Sequence, residues 1–332
     1  MLLIGINGEA LVEQERTWLL NNKVSGVILF ARNFSSREQV TALIDTIRSI
    51  RPDPFLIAVD QEGGPVQRFK EGFTKLPALS LIGDRYAENP KTAIELAEIH
   101  AWVMASEMRA IGIDLSFAPV VDLARGNRAI GTRAFHKDPE VVSTLTLAYL
   151  RGMKLAGMAA TLKHFPGHGS VLEDTHVDRA IDNRPYSIIA EHDLIPFQDA
   201  IAAGAEAVMM AHVDYPQIDT NPAGYSKIWI QDVLRNQLKF QGAVLSDDIG
   251  MAAAHSAGGI AVRISAHLEA GCDFVLVCDP QLVPESLKAA ENHQAATLAR
   301  ITALTGLVGQ TWAHLTDNPQ RDRFIDRINT LT

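Results

Sequence analysis

Residues 159–178 read A-A-T-L-K-H-F-P-G-H-G-S-V-L-E-D-T-H-V-D. The first four are small or apolar, as a buried strand requires, whereas Pro166, Gly167 and Gly169 cannot continue a helix or a strand. Between Lys163 and Asp178 the stretch then gathers three histidines, a lysine and three acidic residues. The expectation is a strand that stops where an exposed polar loop begins. In α/β proteins such strand ends hold side chains rigidly while the loops fold over a ligand.

The same arrangement recurs outward in both directions. Apolar runs at 2–6, 24–30, 55–59 and 114–121 precede the stretch, and runs at 207–210, 242–245 and 274–277 follow it. Helical patterns separate them at 11–20, 35–50, 90–111, 139–156, 188–203, 228–240 and 259–270, several ending at Gly112, Gly157, Gly204 or Gly271. Eight alternating units make an α/β protein, either a closed (β/α)8 barrel of the TIM type or an open doubly wound sheet. Polar groups decide between them. Strands three to seven end at Asp60, Asp122, Lys163-His164, His212 and Ser246-Asp247-Asp248, and only a closed barrel brings all those ends around one mouth. We therefore expect a single catalytic barrel over 1–332, with a weak first strand and a helical segment from about residue 280 packed on its outside. There is no internal repeat or Pro/Gly/Ser linker.

Composition narrows the classes of function. With 47 % apolar residues the chain can build a large core, and its net charge of −9 argues against a nucleic-acid or anionic-membrane surface. Residues 1–10 lack the basic start and sustained apolar run of a signal peptide, so the expected location is the cytoplasm. Cys272 and Cys278 flank a strand and are expected as reduced thiols. The expected partner is a small molecule, bound by a monomer.

Three readings of the 163–178 loop compete. A metal site on His164, His168, Asp174 and His176 would need the first two on one helical face, which Phe165-Pro166-Gly167 prevents. A solvated surface loop explains the polarity but not the interleaved Pro and Gly. Acid–base chemistry explains more: Asp174 stands two residues from His176, close enough to hold one ring nitrogen and leave the other for a substrate. Ser246-Asp247-Asp248 adds a carboxylate at a strand end, and since strand neighbours face opposite ways, only one aspartate should aim into the mouth.

Four segments then occur in one order: Val59-Asp60-Gln61-Glu62-Gly63-Gly64 with Arg68-Phe69, Ile130-Gly131-Thr132-Arg133, Lys163-His164-Phe165-Pro166-Gly167-His168-Gly169, and Ser246-Asp247-Asp248. In that order they resemble the barrel domain of glycoside hydrolase family 3, specifically its bacterial β-N-acetylglucosaminidases of peptidoglycan recycling, over most of the chain. The resemblance implies a retaining exo-enzyme without cofactor or metal. It would remove terminal N-acetylglucosamine from muropeptides whose other sugar is 1,6-anhydro-N-acetylmuramic acid. It also implies Asp247 as nucleophile, His176 as proton donor with Asp174 as its partner, and Asp60, Arg68, Arg133, Lys163 and His164 as the residues that hold the sugar. A histidine can serve as donor because its ordinary pKa, about 6.5, lets it be charged in one step and neutral in the next. Rival readings are a phosphorylase using the same histidine, substrate-assisted catalysis with Asp247 and Asp248 only positioning the acetamido group, and a non-catalytic sugar-binding barrel. Purely structural pairing of Lys163 with Asp60, or of Arg68 and Arg133 with Asp60 or Glu62, is the plainer alternative for the binding set. His136 and His212 read as supporting or packing residues, and Trp102, Trp229 and Trp312 as packing.

Overall fold

Eight parallel strands line up where the apolar runs fall: β1 (Leu2–Gly5), β2 (Val24–Leu29), β3 (Leu56–Val59), β4 (Leu115–Ser116), β5 (Thr161–Phe165), β6 (Ala207–Met210), β7 (Ala243–Asp248) and β8 (Phe274–Val277). The structure, a computed structural model, describes residues 1–175, 178–307 and 309–331. Pairing runs β4-β3-β2-β1-β8-β7-β6-β5, with Leu3 opposite Leu276 and Ile28 opposite Ala58. The ring closes between β4 and β5 through a parallel bridge from Val120 to Lys163, where the Val121 N–H donates to the Lys163 carbonyl at 2.9 Å. This is a (β/α)8 barrel of the TIM type. β4 is shorter than the 114–121 run because Pro119 has no N–H to give a ladder. β1, weak on apolar pattern, is a full member between β2 and β8.

Alternation along each strand divides the core in two. Leu3, Ile28, Leu56, Ala58, Leu115, Met209, Leu245 and Leu276 fill the barrel interior, while Leu2, Val27, Ile57, Leu162, Val208, Val244 and Val275 face the helices. Ile301 and Leu304, on the helix Leu298–Leu304, join the interior cluster. Nearby contacts place them at the end opposite the strand termini: Gly306 N–H meets Asp114 Oδ1 at 3.3 Å just before β4, and Arg300 pairs with Asp273 just before β8.

Helix caps follow local chemistry. Ser36 accepts from Gln39 N–H, and Asn89 and Asp138 each cap a helix whose first residue is proline. The pattern at 188–203, expected as one helix, forms two, Tyr186–Glu191 and Ile195–Ala202. Between them Asp193 is buried and accepts from Ser170 Oγ at 2.8 Å and Arg184 Nη1 at 2.7 Å, so chain direction yields to a buried charge.

Helices Pro90–Ala110 and Pro139–Leu155 approach closely at Gly152, where an added Cβ would lie 2.1 Å from the Glu98 carbonyl oxygen. Gly152→Ala is therefore expected to destabilise the fold by about 1–3 kcal/mol through overpacking. Urea unfolding of the two proteins measures this, and an unchanged midpoint would show that the helices part freely.

Candidate active site

Charge first appears where β3 ends. Lys163, within β5, places Nζ 2.9 Å from Asp60 Oδ1 and 2.6 Å from Glu62 Oε1. Arg133 grips the same Glu62 with a bidentate pair, Nε to Oε2 and Nη2 to Oε1, both at 2.9 Å, and its Nη1 donates to the Ala129 carbonyl. Arg68 reaches Asp60 Oδ2 at 3.4 Å and is a third exposed, so its guanidinium keeps donors facing the opening. Burial alone would discharge Lys163, but Asp60 and Glu62 reverse this and raise its pKa above that of an ordinary lysine. Burial likewise opposes charge on Asp60 and Glu62; Lys163 and Arg68 around the first, and Arg133 and Lys163 around the second, hold both carboxyls below the usual range.

A second cluster lies behind the first. Asp122, fully buried after β4, accepts from His164 Nδ1 at 2.7 Å and from the His168 N–H at 2.7 Å. A carboxylate on Nδ1 fixes the ring and leaves Nε2 toward the opening. Burial above all pushes the His168 imidazole down to about 4, despite Asp122. Lys163 and His164, expected in an exposed loop, are thus buried strand residues, 2 % and 7 % exposed. Their charges and polar atoms have partners from β3 and β4, which is what lets them go inside.

The end of β7 supplies the third group. Ser246 Oγ donates to the Asp247 carbonyl at 2.6 Å and accepts from Leu276 N–H at 3.0 Å. Asp247 and Asp248 both line the cavity, contrary to the expected divergence of strand neighbours. The reason is a register shift against β8 between Leu245 and Asp248, since such irregularities turn side chains off the pleat. Asp248 Oδ1 accepts from Cys278 N–H at 3.0 Å. Burial, with Asp247 beside it, raises the Asp248 carboxyl above the usual range despite hydrogen bonds from Cys278 and Gly250.

These groups surround a cavity of about 270 Å³ lined by Asp60, Glu62, Arg68, Arg133, Lys163, His164, Asp247 and Asp248, with Ile28, Phe117, Met209 and Leu276 among its apolar lining. Six of the eight residues expected from sequence therefore meet in one space. Asp174 is half-buried on the β5 loop and does not line it, and His176 lies outside the described residues. The loop is tied on both sides: Asn127 Nδ2 donates to the carbonyls of Val171 and Glu173, and the Thr175 carbonyl accepts from Ala253 N–H at 3.3 Å, beyond β7. Asp122, expected at the mouth as the end of strand four, serves there by holding His164 and His168, whereas Glu62, Phe30 and Cys278 were not expected in the site. Glu62 could have been found as a carboxylate beside a strand end; Phe30 and Cys278 lie just past β2 and β8.

Carboxylates and cations at fixed directions over an apolar floor suit a ligand that is both hydroxylated and carbon-faced. The comparisons agree with that chemistry. The profile of the glycosyl hydrolase family 3 N-terminal domain matches residues 3–304. Proteins named beta-hexosaminidase from Stenotrophomonas maltophilia (strain K279a) and Xanthomonas axonopodis pv. citri (strain 306) are 63 % and 59 % identical to this chain over 310 residues, which is 93 % of it and 91 % and 92 % of theirs. NagZ from Neisseria gonorrhoeae in complex with N-trifluoroacetyl-D-glucosamine superposes with a TM-score of 0.93 at 39 % identity, covering 99 % of this chain and 97 % of that one. A family 3 β-N-acetylglucosaminidase from Paenibacillus sp. str. FPU-7 gives 0.88 at 31 % identity, covering 99 % of this chain and 67 % of that one. A barrel of this topology, a polar cavity at its strand ends and matches of this extent lead to one conclusion: the chain is a glycoside hydrolase of the β-N-acetylhexosaminidase kind and belongs to glycosyl hydrolase family 3.

Proposed function

We propose that the enzyme is a retaining exo-β-N-acetylglucosaminidase that releases terminal N-acetylglucosamine from peptidoglycan fragments ending in 1,6-anhydro-N-acetylmuramic acid, with or without peptide, during cell-wall recycling in the cytoplasm. The observation that carries this reading is the position of Asp247, a carboxylate at the end of β7 that shares one cavity with Asp60, Arg68, Arg133, Lys163 and His164. Asp247 attacks the anomeric carbon as the bond to the leaving oxygen breaks, forming a covalent glycosyl-enzyme. His176, oriented by Asp174, gives its proton to that oxygen. In the second step the neutral imidazole takes a proton from water, which attacks the same carbon and frees Asp247.

Asp60 accepts from sugar hydroxyls, Lys163 and the open side of Arg68 donate to them, and Nε2 of His164, whose Nδ1–H is given to Asp122, accepts from one. Arg133 spends three of its five N–H donors on Glu62 and Ala129, which holds Glu62 beside Lys163, and the remaining two are available to the sugar. The family 3 beta-hexosaminidases and the NagZ complex with an N-acylglucosamine analogue support the acetamido sugar.

Release of p-nitrophenol tests the substrate: the β-N-acetylglucosaminide should be cleaved and the β-glucoside left, in chelator and without phosphate. Dependence on added phosphate would instead indicate phosphorolysis. Asp247→Ala should lose at least ~10³-fold in kcat, and a 2-deoxy-2-fluoro sugar should leave a mass adduct on Asp247 in the parent enzyme. An adduct on another residue would end the assignment. His176→Ala should lose roughly 10²–10⁴-fold on a disaccharide, where the leaving oxygen needs a proton, and far less on a dinitrophenyl glycoside. Equal losses on both would remove His176 from the donor role.

A further inference from the structure

His212 follows β6 and takes no part in the chemistry above, yet it is buried, 3 % exposed, directly behind the strand that carries Asp247. Its Nε2 lies 3.0 Å from the carbonyl oxygen of Asp248. A carbonyl only accepts, so Nε2 carries the proton and donates. Nδ1 is buried with no hydrogen-bond partner among the described residues, so the Asp248 carbonyl is the one polar contact for which the ring is placed. The rings of His267 and Tyr225 lie 5.6 and 6.2 Å away and limit rotation of the imidazole.

Asp248 is consequently held from two sides. Its carbonyl is fixed by His212 from β6, and its carboxylate by the Cys278 N–H just after β8. Between those two anchors stands its own N–H, which donates to Asp247 Oδ1 at 2.8 Å. That N–H belongs to the 247–248 peptide, whose carbonyl accepts from Ser246 Oγ at 2.6 Å, while His212 holds the carbonyl of the peptide that follows, so the backbone is fixed on both sides of Asp248. The register of β7 against β8 shifts between Leu245 and Asp248 and resumes at Asp248 opposite Leu276, so Asp247 itself lies in the irregular stretch and depends on the groups that hold its neighbours.

We infer that His212 is a positioning residue: by holding the Asp248 carbonyl it fixes the backbone just after Asp247, and through it the Asp248 residue whose N–H contacts Asp247 Oδ1, and so supports the attack geometry of that carboxylate. The inference rests on Asp247 being the nucleophile. Preorganised geometry of this kind acts on the chemical step rather than on ground-state binding, because the sugar contacts of Asp60, Arg68 and Lys163 lie on β3 and β5 and do not involve β6.

The test compares the parent enzyme with His212→Leu, His212→Gln, Asp248→Asn and Asp247→Ala on an aryl β-N-acetylglucosaminide, with thermal melting in parallel. Leucine removes the donor, whereas glutamine can present an N–H at the place of Nε2. His212→Leu is expected to lower kcat at least ~10-fold with KM within about threefold, and His212→Gln to recover most of the loss. Unchanged kcat in His212→Leu, or equal activity of the Leu and Gln variants, would overturn the inference. Should His212→Leu not melt cooperatively, Asp248→Asn decides instead. It keeps the side-chain shape but weakens the Cys278 anchor, so a similar kcat loss at constant KM is expected, and unchanged kcat would refute the bracket. Asp247→Ala separates the two claims: if it still turns over, the assignment of the nucleophile fails, whereas an inactive Asp247→Ala beside a fully active His212→Leu rejects the role of His212 alone.

Discussion

The Lys163 ammonium between Asp60 and Glu62 is the contact on which the mouth of this barrel depends. A lysine so buried is tolerable only with charge beside it, and its two carboxylates come from the far side of the seam where β4 meets β5. Glu62 in turn recruits Arg133, and Asp60 recruits Arg68, so one buried cation organises four further charged side chains from β3 and the β4 loop. Asp60, Glu62 and Lys163 each have two partners of opposite charge, whereas Arg133 pairs, among the described residues, with Glu62 alone, so loss of Glu62 would strip a buried guanidinium of its carboxylate. Mutual pairing, the plainer alternative for these residues, is what the contacts among them show, and Arg68 and His164 also line the cavity.

Much of the architecture is legible in the chain because parallel strands covered on both faces read as continuous apolar runs, and glycine ends the helices between them. The closed ring is legible for a different reason, the charge at successive strand ends. Elements fail where a buried polar group overrides local pattern. The 188–203 helix breaks for Asp193, and β5 runs on through Lys163 and His164, which look like loop residues until Asp60, Glu62 and Asp122 are seen around them. Glu62 escaped notice as a site member because its importance lies in whom it holds, and pairing with Arg133 across 71 positions leaves no mark on local spacing. The aim of both Asp247 and Asp248 depends on a register shift that no alternation rule reports.

Among the described residues, the loop's backbone carbonyls tie it to the barrel on both sides. Asn127 holds the carbonyls of Val171 and Glu173 from the β4 side, and Ala253 holds Thr175 from the β7 side. The segment that bears Asp174 is thereby suspended between the loop of Arg133 and the loop following Asp247. Substitutions at Asn127 would be felt across the mouth without touching the cavity.

The helix that places Ile301 and Leu304 among the interior side chains has a consequence for traffic. With those residues below and Ile28, Phe117, Met209 and Leu276 above them, the described side chains fill the barrel beneath the cavity. Among the described residues no passage runs along the barrel axis, so a ligand that enters at the strand ends must also leave there, and release empties the cavity before another ligand can occupy it.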